Sequence, residues 1–69
     1  MEQIQITLAA ARVNAGLTQE DAAQAMKVSK NTIVNWEKGK TSPTIMQARM
    51  LSELYEMPLS NIFLPVESN

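Results

Sequence analysis

Lys30, Asn31, Val34, Asn35 and Lys38 fall within one short stretch, KNTIVNWEK, at spacings that put all five on a single helical face. Ile33 and Trp36, three apart, point the other way. The outward set is a row of amides and ammonium groups around one branched apolar side chain. An Asn amide can pair bidentately with adenine N6 and N7, and a Lys can donate to guanine O6 and N7. A Val side chain can pack on a thymine methyl. On an ordinary helix the same residues would only be solvated, so their meaning rests on the elements that hold them.

Those elements span Leu17 to Thr41, LTQEDAAQAMKVSKNTIVNWEKGKT. The stretch reads as two short amphipathic helices joined by a tight turn, the layout of a helix-turn-helix. Such a unit sets its second helix in the major groove of DNA. The earlier helix runs from Gln19 to about Met26, with Thr18 as N-cap and Asp21 three residues on. Glu20 and Asp21 suit the positive end of its dipole. Ala22, Ala23 and Met26 form its inner face, and Ala23 is small enough to let the next helix approach. The later helix runs from Lys30 to Lys38, with Ser29 as N-cap and Gly39 as stop. Val28 in the turn packs beneath Ile33 and Trp36. Free N–H groups at the start of the earlier helix, with the Gln19 amide, can hold a phosphate.

Charge is arranged to match. The net charge is −1, which opposes a nucleic-acid partner in sum. Yet Lys27, Lys30, Lys38 and Lys40 are four of the six basic residues, and only Glu37 opposes them within their span. Arg12 and Arg49 stand elsewhere against the other six carboxylates. One face can be positive while the far side is negative.

The remaining segments build the support. A first helix is expected from about Thr7 to Ala15, capped by Thr7, stopped by Gly16, with Leu8, Ala11 and Ala15 inward. Met1 to Ile6 would form an arm anchored by Ile4 or Ile6. After the loop Lys40 to Pro43, Thr44 and Gln47 form a T-x-x-Q capping box. The helix it opens runs to about Tyr55 and is expected to bury Ile45, Ala48, Leu51 and Tyr55, with Pro58 blocking continuation. A short last helix from Ser60 would bury Ile62 and Phe63, and residues 65–69 should fray. This predicts an all-α fold, a compact bundle of five short helices. The 69 residues make a single domain, with its core at about 7–64.

Composition excludes several classes. There is no Cys and no His, so no disulfide, thiolate metal site or imidazole base exists. Glu20 and Asp21 are neighbours and diverge by about 100° on a helix, so they do not form a catalytic pair. The two glycines form no phosphate loop. No enzyme activity, cofactor, metal or small-molecule substrate is expected. No apolar run approaches the roughly 18 residues of a membrane span, and the N-terminus lacks a secretory pattern. The expected location is the cytoplasm, with no membrane partner.

T-Q-E-D-A-A with Ala23, S-K-N-T-I with Ile33, W-E-K-G from Trp36 to Gly39, S-P, and the closing L-S-N-I-F together resemble the Cro/C1-type (XRE) helix-turn-helix family. This is the fold of phage repressor and Cro DNA-binding domains. The resemblance covers about Leu8 to Phe63. It implies a lambda-repressor-like domain with base contacts from Lys30, Asn31, Val34 and Asn35. Phosphate contacts are implied for Thr18, Gln19, Ser29, Lys38, Lys40 and Thr41. Arg12 and Glu37 match a partly buried ion pair of the family. Lys27 departs from the family's frequent Gly in the turn, where positive φ is convenient, and should carry a modest strain. Ala22 replaces a larger aliphatic residue. The implied function is a sequence-specific transcriptional regulator, a repressor of phage or prophage type. It would bind double-stranded DNA as a homodimer on a two-fold operator, with Met50, Met57, Leu59 and Leu64 as candidate dimer contacts. With no effector domain in the chain, occluding polymerase is the simplest mechanism. The rival reading is a protein-interaction module of the same fold, such as an antitoxin or repressor partner.

Overall fold

The computed structural model describes residues 5–64, with the side chain of Phe63 excepted. The expectations for residues 1–4 of the arm, with Ile4 as its anchor, for the tail 65–69 and for the burial of Phe63 lie outside it. The chain runs β1 (Ile6–Thr7), α1 (Leu8–Asn14), α2 (Gln19–Met26), α3 (Lys30–Lys38), α4 (Ile45–Leu54), a 3-10 turn (Leu59–Asn61) and β2 (Ile62–Phe63).

Each α-helix starts on a hydroxyl. Thr7, Thr18, Ser29 and Thr44 sit in extended backbone, and each accepts from the N–H three residues on. At Thr18 and Thr44 the box is reciprocal, with Asp21 and Gln47 reaching back to the cap N–H. Each such cap contributes about 1 kcal/mol.

The four helix ends also share one device. After α1 the N–H of Leu17 reaches Arg12 O, and after α2 that of Val28 reaches Ala23 O. After α3 and α4, Lys40 reaches Asn35 O and Met57 reaches Ser52 O. This six-to-one closure needs a left-handed residue just before the donor. Gly16 and Gly39 supply it at φ 79°, and Lys27 and Glu56 do so at φ 60° and 54°. For a side chain with a Cβ that backbone costs energy. Lys27→Gly is therefore expected to stabilise the protein by about 0.5 to 1 kcal/mol, offset partly by the freedom glycine gains when unfolded. Urea unfolding should show a higher midpoint at unchanged slope. A lower midpoint would mean that the Lys27 side chain contributes more than its backbone costs.

The core joins Leu8 and Ala11 of α1, Ala22, Ala23 and Met26 of α2, and Ile33 and Trp36 of α3. Leu51, Tyr55 and Ile62 complete it. Ala22 and Ala23 let α2 pack against α3 more extensively than any other pair of elements. Leu17 and Val28, in the turns on either side of α2, pack against the same core.

Two expectations are corrected. There is no fifth α-helix among the described residues. After the turn at Leu59–Asn61 the chain extends, and β2 pairs with β1 in parallel, Ile6 opposite Ile62 and Thr7 opposite Phe63. Ile62 is buried all the same. The four α-helices act as the crossover that parallel pairing requires. The arm is thus tied down at Ile6. Ile45, expected in the core, is 80% exposed. It is the first residue of α4, about 100° of helical phase from the centre of the stripe made by Ala48, Leu51 and Tyr55. No helix among the described residues is long and apolar enough to cross a membrane.

Candidate nucleic-acid interface

Local sequence fixes the pose of α3. The Ser29 hydroxyl accepts from Thr32 N at 3.1 Å and meets the Thr32 hydroxyl at 2.9 Å. Ile33 and Trp36 lock the inner face. Lys30 and Asn31 are then exposed in the first turn, and Lys38 in the last. Val34 and Asn35 are half-buried between them. Beyond Gly39, Lys40 and Thr41 are exposed.

Thr18 and Gln19 stand beside the start of α3. With Lys30 they line one open groove of about 410 Å³, together with Arg12, Leu17 and Glu20. Two residues expected at phosphate and one expected at a base therefore share a concave surface. Glu20 is the one carboxylate on that surface and opposes an anion there. Val13 also lines it, 63% exposed. Val13 was not legible in the sequence as part of this surface. Its signal was an apolar residue off the face shared by Leu8, Ala11 and Ala15.

Several polar groups already have protein partners. The Thr18 hydroxyl accepts from Asp21 N at 3.0 Å, and Asp21 accepts in return from Thr18 N at 2.9 Å. The backbone and side-chain bonds from Thr18 hold the Asp21 carboxyl below the ordinary carboxylate range. The Gln19 amide donates to Glu37 Oε1 at 3.0 Å, which leaves its second N–H for another acceptor. That link between α2 and α3 was not legible in the sequence.

Arg12 and Glu37 join α1 to α3. Arg12 Nε lies 2.7 Å from Glu37 Oε2, and the two side chains are 13% and 8% exposed. A second guanidinium nitrogen donates to the Leu17 carbonyl at 2.8 Å, so the same residue also fixes the loop before α2. Arg12, Gln19 and Glu37 thus tie α1, α2 and α3 together beneath the exposed face.

Tyr55 is buried against this centre. Its phenol is pushed up to about 12, by burial first and then by the charge of Glu37, against the opposing charge of Arg12. An unfolded tyrosine ionises near 10. The folded value is the higher, so this contribution to stability is complete below pH ~10 and is lost as pH climbs towards 12. Tyr55 is the sole tyrosine, so its absorbance reports directly. The native protein should form phenolate only above pH ~11, and the denatured chain near 10. A native midpoint near 10 would show the phenol to be solvated.

The sequence profile described as Helix-turn-helix matches residues 8–62. The chain is 34% identical over 58 residues to the cryptic phage CTXphi transcriptional repressor RstR of Vibrio cholerae, a match covering 84% of this chain and 52% of RstR. The chain thus spans about half the length of that relative. It is 38% identical over 48 residues to an uncharacterised HTH-type transcriptional regulator of Methanocaldococcus jannaschii, covering 70% of this chain and 73% of that protein. An uncharacterised HTH-type transcriptional regulator of Archaeoglobus fulgidus is 32% identical over 53 residues, covering 77% and 76%. No solved structure matches. The capped α2, the left-handed turn at Lys27, the exposed face of α3 and this profile agree, and the chain belongs to the Cro/C1-type (XRE) helix-turn-helix family of DNA-binding transcriptional regulators.

Proposed function

We propose that this chain binds double-stranded DNA sequence-specifically, with α3 in the major groove, and represses transcription as a homodimer on a two-fold operator in the cytoplasm. The observation that carries the reading is the shared surface of Thr18, Gln19 and Lys30, continuous in sequence with the exposed start of α3. Lys30, Asn31, Val34 and Asn35 read base edges. Thr18, Gln19, Ser29, Lys38, Lys40 and Thr41 hold phosphates and set the register. The Arg12–Glu37 pair holds α3 to the scaffold. One such domain meets too few base pairs for useful selectivity, and two half-sites a helical turn apart solve this. RstR is named a phage repressor, which favours repression here, by blocking polymerase at the operator.

Selection of bound sites from random DNA tests this. Two inverted half-sites spaced by about 34–36 Å are expected. With about four to six phosphates neutralised per dimer, log K against log salt should fall with a slope of roughly −4 to −5, at about −0.9 per phosphate. A slope near zero would turn the assignment towards the second reading, a protein-interaction module. The net charge of −1 favours that reading, and the lysines gathered on one face oppose it.

A further inference from the structure

α4 carries three of the four large apolar residues left exposed among the described residues. Ile45 is 80%, Met46 68% and Met50 42% exposed. Met46, Arg49, Met50 and Glu53 lie opposite the buried stripe of Ala48, Leu51 and Tyr55. Beside Met50 is an open groove of about 300 Å³, lined by Ala25, Met26, Met50, Glu53 and Leu54. The surface therefore holds an unpartnered Met46 and, two turns further on, an apolar groove of a size to take a Met side chain.

We propose that this face is the contact between two copies of the chain, with α4 antiparallel to α4 of the partner about a two-fold axis near residues 50–51. The homodimer belongs to the proposed function, and the proposal here deepens that reading by naming its surface. A two-fold contact must be complementary to itself. In this register Met46 of one copy comes opposite residues 54–56 of the other, at the Leu54 end of the groove, and the reverse. Arg49 comes opposite residues 51–53 of the partner, within reach of the partner's Glu53. Arg49 and Glu53 stand one turn apart in the order that least favours pairing within a helix. Arg12–Glu37 is the one ion pair among the described residues, so Arg49 and Glu53 do not pair with each other. A knob, its hole and both halves of an ion pair thus occupy one surface at spacings a single two-fold axis satisfies.

Met57 and Leu64, candidates from sequence, pack against the protomer's own core instead. Leu59 is half-buried in the turn before β2, and Met50 remains. A helix of this length spans about 15 Å. Its face falls short of the roughly 800 Å² per partner of a stable interface, so association without DNA is weak.

Sedimentation equilibrium without DNA tests the surface, with native folding of each variant checked by Trp36 fluorescence. The wild type should show a concentration-dependent dimer. Met46→Lys should abolish it. Arg49→Glu and Glu53→Arg should each weaken it about tenfold, through two repelling pairs per dimer. The double exchange should return it to within about twofold. The chain has no cysteine, so Met50→Cys should cross-link to itself on oxidation without other thiols interfering. A wild type monomeric at every concentration, association untouched by Met46→Lys, or no rescue in the double exchange would overturn the proposal. Half-site DNA binding by Met46→Lys keeps the two readings apart. If it binds a half-site while the wild type never dimerises, the surface is wrong and the DNA reading stands.

Discussion

Glu37→Ala is expected to destabilise the protein by about 3 to 5 kcal/mol, among the largest effects of any single substitution here. The carboxylate is almost enclosed and holds Arg12 Nε at 2.7 Å and the Gln19 amide at 3.0 Å. Removing it leaves the guanidinium largely buried, with the Leu17 carbonyl as its remaining partner. Uncompensated buried charge is costly, whereas the intact pair roughly offsets its own desolvation. The double variant Arg12→Met with Glu37→Leu should therefore recover most of the loss, and that contrast is the diagnostic result. In a domain of this size each kcal/mol moves the melting temperature by about 4 to 8 °C. Glu37→Ala should thus melt at least about 12 °C lower. A fall under about 4 °C would show the pair to be solvated and of little weight. Since Arg12 bonds both α3 and the loop before α2, Glu37→Ala should also loosen the two elements that carry the proposed DNA face.

The elements around that pair were mostly legible in the sequence, and the reason is locality. A cap is a bond between residues three apart, so Thr7, Thr18, Ser29 and Thr44 announced their helices without knowledge of the fold. Gly16 and Gly39 marked stops for the same reason, and Lys27 was legible as a turn residue through the family pattern. Glu56 was not, because a charged residue carries no sign of left-handed backbone. The pairing of Ile6 with Ile62 was not legible either. It joins residues at opposite ends of the chain through two backbone pairs, and two residues are too few to show an alternating pattern. L-S-N-I-F looked helical because Ser60 is a good cap and Ile62 and Phe63 are apolar. Burial of Ile62 was foreseen, but by the wrong backbone. Ile45 shows the reverse error. Its spacing of three to Ala48 fits a helix face, but as the first residue of α4 it stands at the flank of the stripe.

The candidate site divides along the same line. The exposed set on α3 follows from the phase fixed by Ile33 and Trp36, so one helix was enough to read it. The approach of Gln19 to Glu37 and the grouping of Thr18, Gln19 and Lys30 around one groove need the crossing of α2 and α3. That crossing depends on Ala22 and Ala23 being small, and its angle is not written in either helix alone.

Asn35 and Lys40 test the two kinds of DNA contact proposed above. Asn35 is half-buried on the outer side of α3, one turn after Asn31, where a side chain can reach a base edge once the helix enters the groove. Lys40 lies beyond the left-handed Gly39 and is exposed on the loop, where a phosphate is the nearer target. Asn35→Ala is expected to cost about 1 to 3 kcal/mol on the selected operator and to relax preference at one position of each half-site. Lys40→Ala should weaken binding to all sequences alike and lower the salt slope by about 1 per subunit. Neither side chain belongs to the core on Ile33 and Trp36, so melting temperatures should stay close to that of the parent. The measurement is binding of each variant to the operator and to its single-base variants at several salt concentrations. Full discrimination by Asn35→Ala at every position would move the reading face towards Lys30 and Asn31. A Lys40→Ala change confined to one base position would make Lys40 a base reader, and would require the loop after α3 to enter the groove with the helix.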